Sequence, residues 1–574
     1  MEKEVVVTVE VEKVDPAELE RRKTVIFDID DAAPADPNNY NPYSGAALQH
    51  HGPIQAMMEP LFISNCMTDE LVPWLAESMT ANEDFTVWTL VLREGIKWSD
   101  GETLDADDVM FTINMINDNP DVVKWSDFSN VESFEKVDDR TIQFSLLEPD
   151  QRFLLNNFVV TTGISLLIVP EHIWADQDPL TFTNYDPDKG WPVFSGPYTL
   201  VSTSDTEFVY ERDDDWWGVA AGFKDLPKPE KLVWVSYGTE ETRTAAMARD
   251  DLDALMNIGL GSFLALKQLN PNIVAWKADL PYAWSARCPR NLDLNHTIPP
   301  WDDPEMRWAI NYALNRDQIV EIAYEGISSP SRHWFTPYEP LNHYINLAVD
   351  AGLYDEYPLM TSDPELAKSI IEGKGWAMNE ETGYYEKDGE ELGMEITTFG
   401  AAQMKDVAAI IIEQLQAVGI NAYHNVVPVP AFIDGILNGT YEAQVFFLCG
   451  SVVDPWDTMD HFHTRHLPEE GQPISHYYSN QTRWSTEAAF EFTALMDQIE
   501  VLPMGDPAID DLFVEAMRVW LPELPLIPLT VMPKLVPFTE TYWTNWPTEE
   551  NAYFQPQTWH NGAHIIIHEL EPAQ

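Results

Sequence analysis

The 574-residue sequence predicts an α/β fold with at least partly parallel strands. The strongest indication is an alternation of strands and helices between residues 391 and 447, where GMEITTF, INAYHNVV and AQVFFLC are rich in β-branched and apolar residues. Two segments with helical periodicity separate them, and one face of the first carries Val407, Ile410, Ile411, Leu415 and Val418. A second observation is the 45% hydrophobic content, which is ample for two or three domains. A third is YYEKDGEELG, whose Asp-Gly pair predicts a hairpin.

The segment LREGIKWSDGETLDADDVMFTINMI, residues 92–116, is crowded with carboxylates but predicts a strand, a turn and a capped helix. Asp105 is the predicted N-cap. Asp107 and Asp108 fall in the first turn, where the helix dipole favours anions. One face of the helix carries Val109, Ile113 and Ile116. Capping explains the carboxylates, so we interpret them as solvated scaffold groups and not as an active site.

The charge balance limits the class of partner. The chain has 95 acidic against 33 basic residues, a net charge of −62. Such a surface repels nucleic acid and anionic lipid, so neither is an expected partner. The acidity runs through every region, which indicates adaptation to an environment such as high salt. The cysteines Cys66, Cys288 and Cys449 are widely separated, and we expect neither a disulfide framework nor a zinc site.

The sequence motifs that would indicate catalysis, phosphate binding or metal binding are weak. The sequence has no phosphate-binding glycine loop and no GxSxG. The tract DHFHTRH, residues 460–466, has no second ligand cluster with matching spacing, so no metal and no cofactor are predicted. Paired carboxylates are too numerous to identify a glycoside hydrolase by counting, which leaves that activity as a remote alternative to a non-enzymatic function.

Four segments resemble one known family. LREGIKWSDGETLDADDVMFT resembles the strand-turn-helix signature of the family 5 extracellular solute-binding proteins of ABC importers, whose members bind dipeptides, oligopeptides, nickel or oligosaccharides. Further matches follow in the family's order: FSGPYTLVSTSDTEFVYERDDDWWG, DPEMRWAINYALNRDQIVEIAYEG and DPELAKSIIEGKGW. The resemblance runs from about residue 25 to the C-terminus. It implies a two-lobed periplasmic-binding-protein (Venus flytrap) fold with an additional inserted domain.

The same resemblance implies limits for the domains. Residues 1–24 are expected to be a tether or an expression remnant. The first lobe is expected to be discontinuous, with the inserted domain at 60–190 and the second lobe at 290–523. The pieces of the first lobe would be 25–59, 191–289 and 524–574. The chain is expected to cross between lobes near 194–198, 281–295 and 521–531.

The implied ligand site lies in the interlobe cleft. Peptide-binding relatives hold the ligand's ammonium with an aspartate four residues before a proline. In CGSVVDP the residue at that position is Ser451, which cannot replace the charge, so a neutral ligand is favoured unless Asp454 takes over the amine. Sugar hydroxyls and C–H faces would suit polar and indole side chains. The expected site residues are Trp125, Trp284, Arg287, Asn291, Trp334, Ser451, Asp454 and Trp456.

These arguments predict an extracytoplasmic binding protein that captures a β-linked oligosaccharide of the cello- or xylo-oligosaccharide type. An oligopeptide or dipeptide is the alternative ligand. The family resemblance implies delivery to the transmembrane subunits of an ABC permease. It also implies a monomer, with membrane contact only through the permease or a lipid anchor on the precursor.

Overall fold

The computed structural model describes residues 15–29, 34, 36–45, 48–124, 126–161, 163–469 and 472–574. Its strands form three larger sheets and several short ribbons, with helices distributed among them. This mixture of helices with parallel and antiparallel strands confirms the α/β class.

The first sheet joins segments that are distant in sequence. Its strand order is Thr24–Asp28, Lys231–Val235, Glu207–Arg212 and Tyr198–Thr203, and only the first pair is parallel. We call this sheet and the helices of the same stretches the first lobe. These helices are Pro16–Arg21, Trp217–Ala220, Glu240–Met247, Leu260–Leu269 and Ala563–Glu569, with a π-helix at Pro53–Met57 and a 3-10 turn at Pro187–Lys189.

A second, fully antiparallel sheet forms the centre of the inserted domain. Its order is Ala76–Ala81, Val87–Leu92, Thr141–Leu146 and Val131–Asp138. A smaller sheet beside it contains Glu70–Pro73, Phe62–Asn65 and Val159–Val160. The helices of this domain are Ala106–Asp118, Phe153–Phe158 and Glu171–Trp174.

The third sheet belongs to the second lobe and has the order Asn421–Val427, Gly393–Phe399, Ala443–Phe447, Trp284–Leu294 and Leu526–Lys534. The first three strands are mutually parallel, as the alternation over 391–447 predicts. We call Trp284–Leu294 the crossing strand and Leu526–Lys534 the return strand; they pair antiparallel. The predicted Asp388-Gly389 hairpin is confirmed, with both turn residues at positive φ.

The remaining elements complete the second lobe and the seams. Its helices are Pro304–Ala313, Arg316–Ala323, Glu339–Asp350, Leu353–Glu356, Pro364–Gly373, Ala402–Ala417, Val429–Asn438, Trp456–Asp460, Glu487–Glu500 and Ala508–Glu523, with a 3-10 turn at Thr464–His466. The short strands are Ala377–Met378, Tyr385–Lys387, Glu390–Glu391, Ile273–Val274, Phe538–Thr539, Trp543–Thr544 and Glu571–Pro572.

The buried apolar residues form two large cores, each belonging to a different part of the fold. One unites the first sheet with the inserted domain, and the other fills the second lobe and includes Phe263 and Leu266 of a first-lobe helix. A third, small cluster lies between the bodies. We call it the seam cluster; it contains Cys66, Trp276, Trp284, Ala286, Tyr338 and Val452.

One expectation needs correction. Asp105 caps its helix as predicted, because its side chain accepts from the Asp107 amide at 2.9 Å, but Asp108 is buried and not solvated. Asp108 accepts from the Trp98 indole at 3.1 Å and from the Glu171 amide at 2.9 Å. It therefore ties the strand, the helix and the next segment together.

The residues expected to form a tether include one described helix. The helix Pro16–Arg21 is docked on the first lobe, where the Arg21 guanidinium pairs with the fully buried Asp253 carboxylate at 2.8 Å. Residues 1–14 lie outside the described residues. The described helix within residues 1–24 thus contacts the first lobe through Arg21.

Candidate ligand-binding site

The crossing strand changes register where it passes between the lobes. Its pairing with the return strand is regular at Trp284–Ala286, then shifts between Ala286 and Arg290 and again before Asn291. Such irregularities redirect side chains. Here they leave Arg287 half-buried and without a partner residue in the strand ladder that the structure describes. One guanidinium nitrogen of Arg287 lies 3.7 Å from the position that a Cβ atom on Gly163 would occupy. Gly163 belongs to the inserted domain, so Arg287 lies at the interlobe seam.

A disulfide between Cys288 and Cys449 fixes this region, contrary to the expectation that the cysteines form none. The two residues are 161 positions apart in sequence, but Cys288 lies within the crossing strand and Cys449 comes just after Ala443–Phe447, the strand that pairs antiparallel with it. Spacing could not reveal the pair, because only strand pairing brings them together. Cys66 is free and buried.

Asp457 and Arg287 form the polar centre of the seam. The Asp457 side chain is exposed. Burial raises its pKa, and nearby His461 and Arg287 oppose that shift. The His461 imidazole lies 3.2 Å from the Cys449 carbonyl. Burial also lowers the pKa of His560 well below its usual value, and Arg287 adds to this effect. Arg287 therefore lies near one carboxylate and one neutral imidazole, and we call this polar region of the seam the recess.

Trp284, one of the expected site residues, lies at one end of the seam and is itself well packed. Its indole stacks on the Tyr338 ring at 5.6 Å with an interplanar angle of 15°. Trp284 and Tyr338 also line a cavity of about 320 Å³ that reaches the first lobe at Trp276 and Glu549. This end of the seam offers aromatic surface beside polar side chains.

The segment 451–456, which contains three of the expected site residues, uses most of its polar groups internally. The Ser451 hydroxyl accepts from the Thr458 amide at 2.9 Å, and the Ser451 amide donates to the Thr458 hydroxyl at 2.7 Å. Asp454 accepts two hydrogen bonds from the Arg152 guanidinium, at 3.2 and 3.1 Å. The Trp456 ring lies 5.1 Å below the Arg152 guanidinium carbon and 5.7 Å from that of Arg465. Ser451 and Asp454 are thus committed to protein partners, and Trp456 remains partly accessible.

Two predicted residues point into the second lobe. Trp334 is 1% exposed and packs on Trp520 with ring centroids 4.3 Å apart, so its indole is a core group and the prediction that it faces the cleft is not supported by its packing. Asn291 is buried and donates to Asp293, which also accepts from Gln444. Trp125 lies outside the described residues.

Sequence reasoning missed Asp457, Tyr338 and Arg152. Asp457 stands two residues after the proline of VVDPWD, and its position at the start of a helix was the available signal. Arg152 is 302 residues from Asp454, and no local pattern indicates that contact. Across the described ranges, no group of three His, Cys, Asp or Glu side chains could hold a metal ion, and no helix has the length and apolarity needed to cross a bilayer.

Comparison with known proteins gives a family match. Residues 70–466, more than half of the chain, match the model described as bacterial extracellular solute-binding proteins, family 5 Middle. The nickel-binding periplasmic protein of Escherichia coli K12 is 25% identical over 395 residues, with 67% of each chain covered. The glutathione-binding protein of Pectobacterium atrosepticum is 24% identical over 342 residues, and the match spans 59% of each, so this chain covers less than two thirds of that relative.

Solved structures share the whole fold. The periplasmic oligopeptide-binding protein of an oligopeptide ABC transporter from Thermotoga maritima is 26% identical with a TM-score of 0.81, covering 96% of this chain and 100% of that one. A mannohexaose-bound structure of that protein gives 0.73, covering 96% and 99%. NikA of Brucella suis, at 20% identity and 0.74, has the same fold. The match confirms the predicted two-lobed fold with its inserted domain.

Proposed function

This chain belongs to family 5 of the bacterial extracellular solute-binding proteins, the binding components of ABC importers, and from that premise we propose that it captures an oligosaccharide in the interlobe cleft. The proposed class is a β-linked oligomer of the cello- or xylo-oligosaccharide type. A related protein, from Thermotoga maritima, has been solved with mannohexaose bound, which supports a sugar ligand within this fold.

The observation that carries the proposal is the pairing of Asp454. A ligand ammonium bound in the segment that precedes Pro455 would need a free carboxylate in that segment, since an uncompensated charge in a closed cleft costs several kcal/mol. Ser451 has no charge, and Asp454 already accepts a two-pronged hydrogen bond from Arg152. A neutral ligand avoids this problem. Trp456 is partly accessible, and Trp284 and Tyr338 are buried but line the cavity at the seam, so aromatic surface suited to pyranose rings is present there.

The side chains of the recess would then bind the sugar hydroxyls through hydrogen bonds. The Arg287 guanidinium donates hydrogen bonds only, while the Asp457 carboxylate accepts them, so together they can hold neighbouring hydroxyls of one residue. No step in this function makes or breaks a covalent bond. The loaded protein would deliver its ligand to the permease on the outer face of the cytoplasmic membrane, working as a monomer.

Titration calorimetry tests the ligand class. The panel contains cello-, xylo- and manno-oligosaccharides of increasing length, and peptides of matched length. We expect a saccharide to bind with a dissociation constant near micromolar, which corresponds to about 8 kcal/mol. Peptides that bind while all saccharides remain silent would overturn the proposal.

An oligopeptide is the second candidate because Asp457 is an accessible carboxylate in the recess. If it held a ligand ammonium, Asp457→Asn would abolish peptide binding by removing the counter-charge. If it accepts sugar hydroxyls, the same substitution keeps an acceptor oxygen and weakens saccharide binding only several-fold. The loss of ligand affinity in Asp457→Asn therefore distinguishes the two candidates, because it is complete for a peptide ligand and only several-fold for a saccharide.

A further inference from the structure

Arg152 connects two bodies of the protein through a buried contact. It precedes the helix Phe153–Phe158 of the inserted domain, and its side chain is 3% exposed. Its Nε and Nη2 atoms donate to the two carboxylate oxygens of Asp454, which belongs to the second lobe and has a side chain 5% exposed. This fork is the geometry in which an arginine–carboxylate pair is strongest and most directional.

The rest of the guanidinium is also engaged by the second lobe. Nη1 donates to the Glu500 carbonyl at 3.1 Å, at the C-terminal end of the helix Glu487–Glu500, where the helix dipole favours a cation. The adjacent Gln151 amide donates to the Val501 carbonyl at 2.8 Å. The Trp456 ring lies beneath the guanidinium at 5.1 Å. One side chain thus meets a carboxylate, a helix end and an indole of the other body.

The surrounding seam is loosely packed. Beside the ion pair, a cavity of about 410 Å³ separates the inserted domain, at Leu154 and Leu155, from the second lobe at Tyr344 and Val453. Asp454 lines the same cavity. Because apolar contact is interrupted here, the polar contacts of Arg152 have a correspondingly large share in holding the two bodies together.

We propose that Arg152 is an interlobe latch and a specificity residue: it holds the inserted domain against the second lobe, and its guanidinium occupies Asp454 in place of a cationic ligand group. The latch does not depend on the ligand class. The specificity role rests on the proposed function, since it explains why a neutral ligand suits the cleft.

The latch is tested without ligand. Small-angle scattering is measured for the wild type, Arg152→Ala, Asp454→Asn and the double variant. Arg140→Ala is the matched control, because the partly exposed Arg140 guanidinium contacts groups of its own domain, Glu77 at 3.5 Å and the Leu92 carbonyl at 3.3 Å. We expect a larger radius of gyration for both single variants, no further increase in the double variant, and no change in the control.

Chemical rescue separates the latch from a general loss of structure. Guanidinium chloride at low, non-denaturing concentration should restore the compact radius of Arg152→Ala, because the free cation can refill the site, and sodium chloride at equal concentration should not. Asp454→Asn should not respond to either salt. Circular dichroism monitors folding, and Asp454→Asn, which keeps the side-chain shape, serves if Arg152→Ala does not fold.

Wild-type radii in both single variants would overturn the latch. For the specificity role, Arg152→Ala should bind butylammonium at least about tenfold more tightly than the wild type, as expected when a buried carboxylate loses its partner. Equal affinity would overturn that role. A failed saccharide titration affects neither result, so the proposed function and this inference are tested separately.

Discussion

At the residue scale, the side chains of the seam fall into two groups: those whose polar atoms bond within the protein and those that keep accessible surface. Ser451 and Asp454 are satisfied by the protein itself, while Arg287, Asp457 and Trp456 keep accessible surface. Buried polar groups need partners, so the first set stabilises the loop. The second set is available to a ligand.

Trp284 provides the first residue-scale prediction. If its stacked pair with Tyr338 carries a sugar ring, Trp284→Ala should weaken saccharide affinity by about tenfold or more, because truncating an aromatic anchor costs about 2 kcal/mol. Calorimetry checks this. Trp376→Ala, at a half-buried tryptophan that packs against the second-lobe core, is the control and should bind normally. Unchanged affinity in Trp284→Ala would remove that indole from the site.

Asp293 provides the second residue-scale prediction, which concerns how stability depends on pH. Burial raises its pKa from 3.8 to about 7, although Gln444, Asn291 and Gln481 donate to it. Between about pH 4 and pH 7 the folded state therefore holds a proton that the unfolded state has lost. The free energy of unfolding falls as pH rises through that window, by up to a few kcal/mol.

Asp293→Asn lacks this titration. Its melting temperature, compared with that of the wild type, should improve steadily from about pH 4 to about pH 8. The comparison removes the contribution of the other acidic residues, which both proteins share. If the melting temperatures of the two proteins changed in parallel with pH across the whole range, Asp293 would have an ordinary pKa.

At the element scale, the crossing strand organises the site. It carries Trp284 and Arg287 to the seam, and its disulfide to Cys449 anchors the segment that leads into the loop 451–456. Covalent closure of a long loop restricts the unfolded chain.

Reduction should therefore lower the free energy of unfolding by about 2–5 kcal/mol and also weaken ligand binding. Thermal unfolding with and without a phosphine reductant measures the first effect. The variant Cys288→Ser/Cys449→Ser should reproduce it and become insensitive to the reductant, whereas Cys66→Ser should keep the full sensitivity. Identical melting curves with and without reductant would contradict this role.

Elements with strong local patterns could be predicted from the sequence. The alternation over 391–447, the Asp105 cap and the Asp388-Gly389 hairpin each depend on neighbours in the chain, and each is present. The site was less predictable, because its contacts join residues that are distant in sequence. The pairs Cys288–Cys449 and Arg152–Asp454 leave no local signal, and Trp334 shows that a tryptophan near a predicted cleft can equally belong to the core.

At the scale of the whole molecule, the charge of −62 is the dominant electrostatic feature. Like charges repel across the surface, and salt reduces this repulsion because the screening length is about 10 Å at 0.1 M. Added salt should raise the melting temperature, while the affinity for a neutral oligosaccharide should change little. A steep loss of affinity with salt would indicate a cationic ligand instead.

The central claim is that an oligosaccharide is bound between two lobes that close on it. The most direct test follows the radius of gyration by small-angle scattering while a saccharide identified by calorimetry is added. We predict that the radius decreases and saturates at the calorimetric stoichiometry, because the ligand contacts both lobes and favours their closed arrangement. A saccharide that binds without any decrease in the radius, or compaction by peptides alone, would contradict the account.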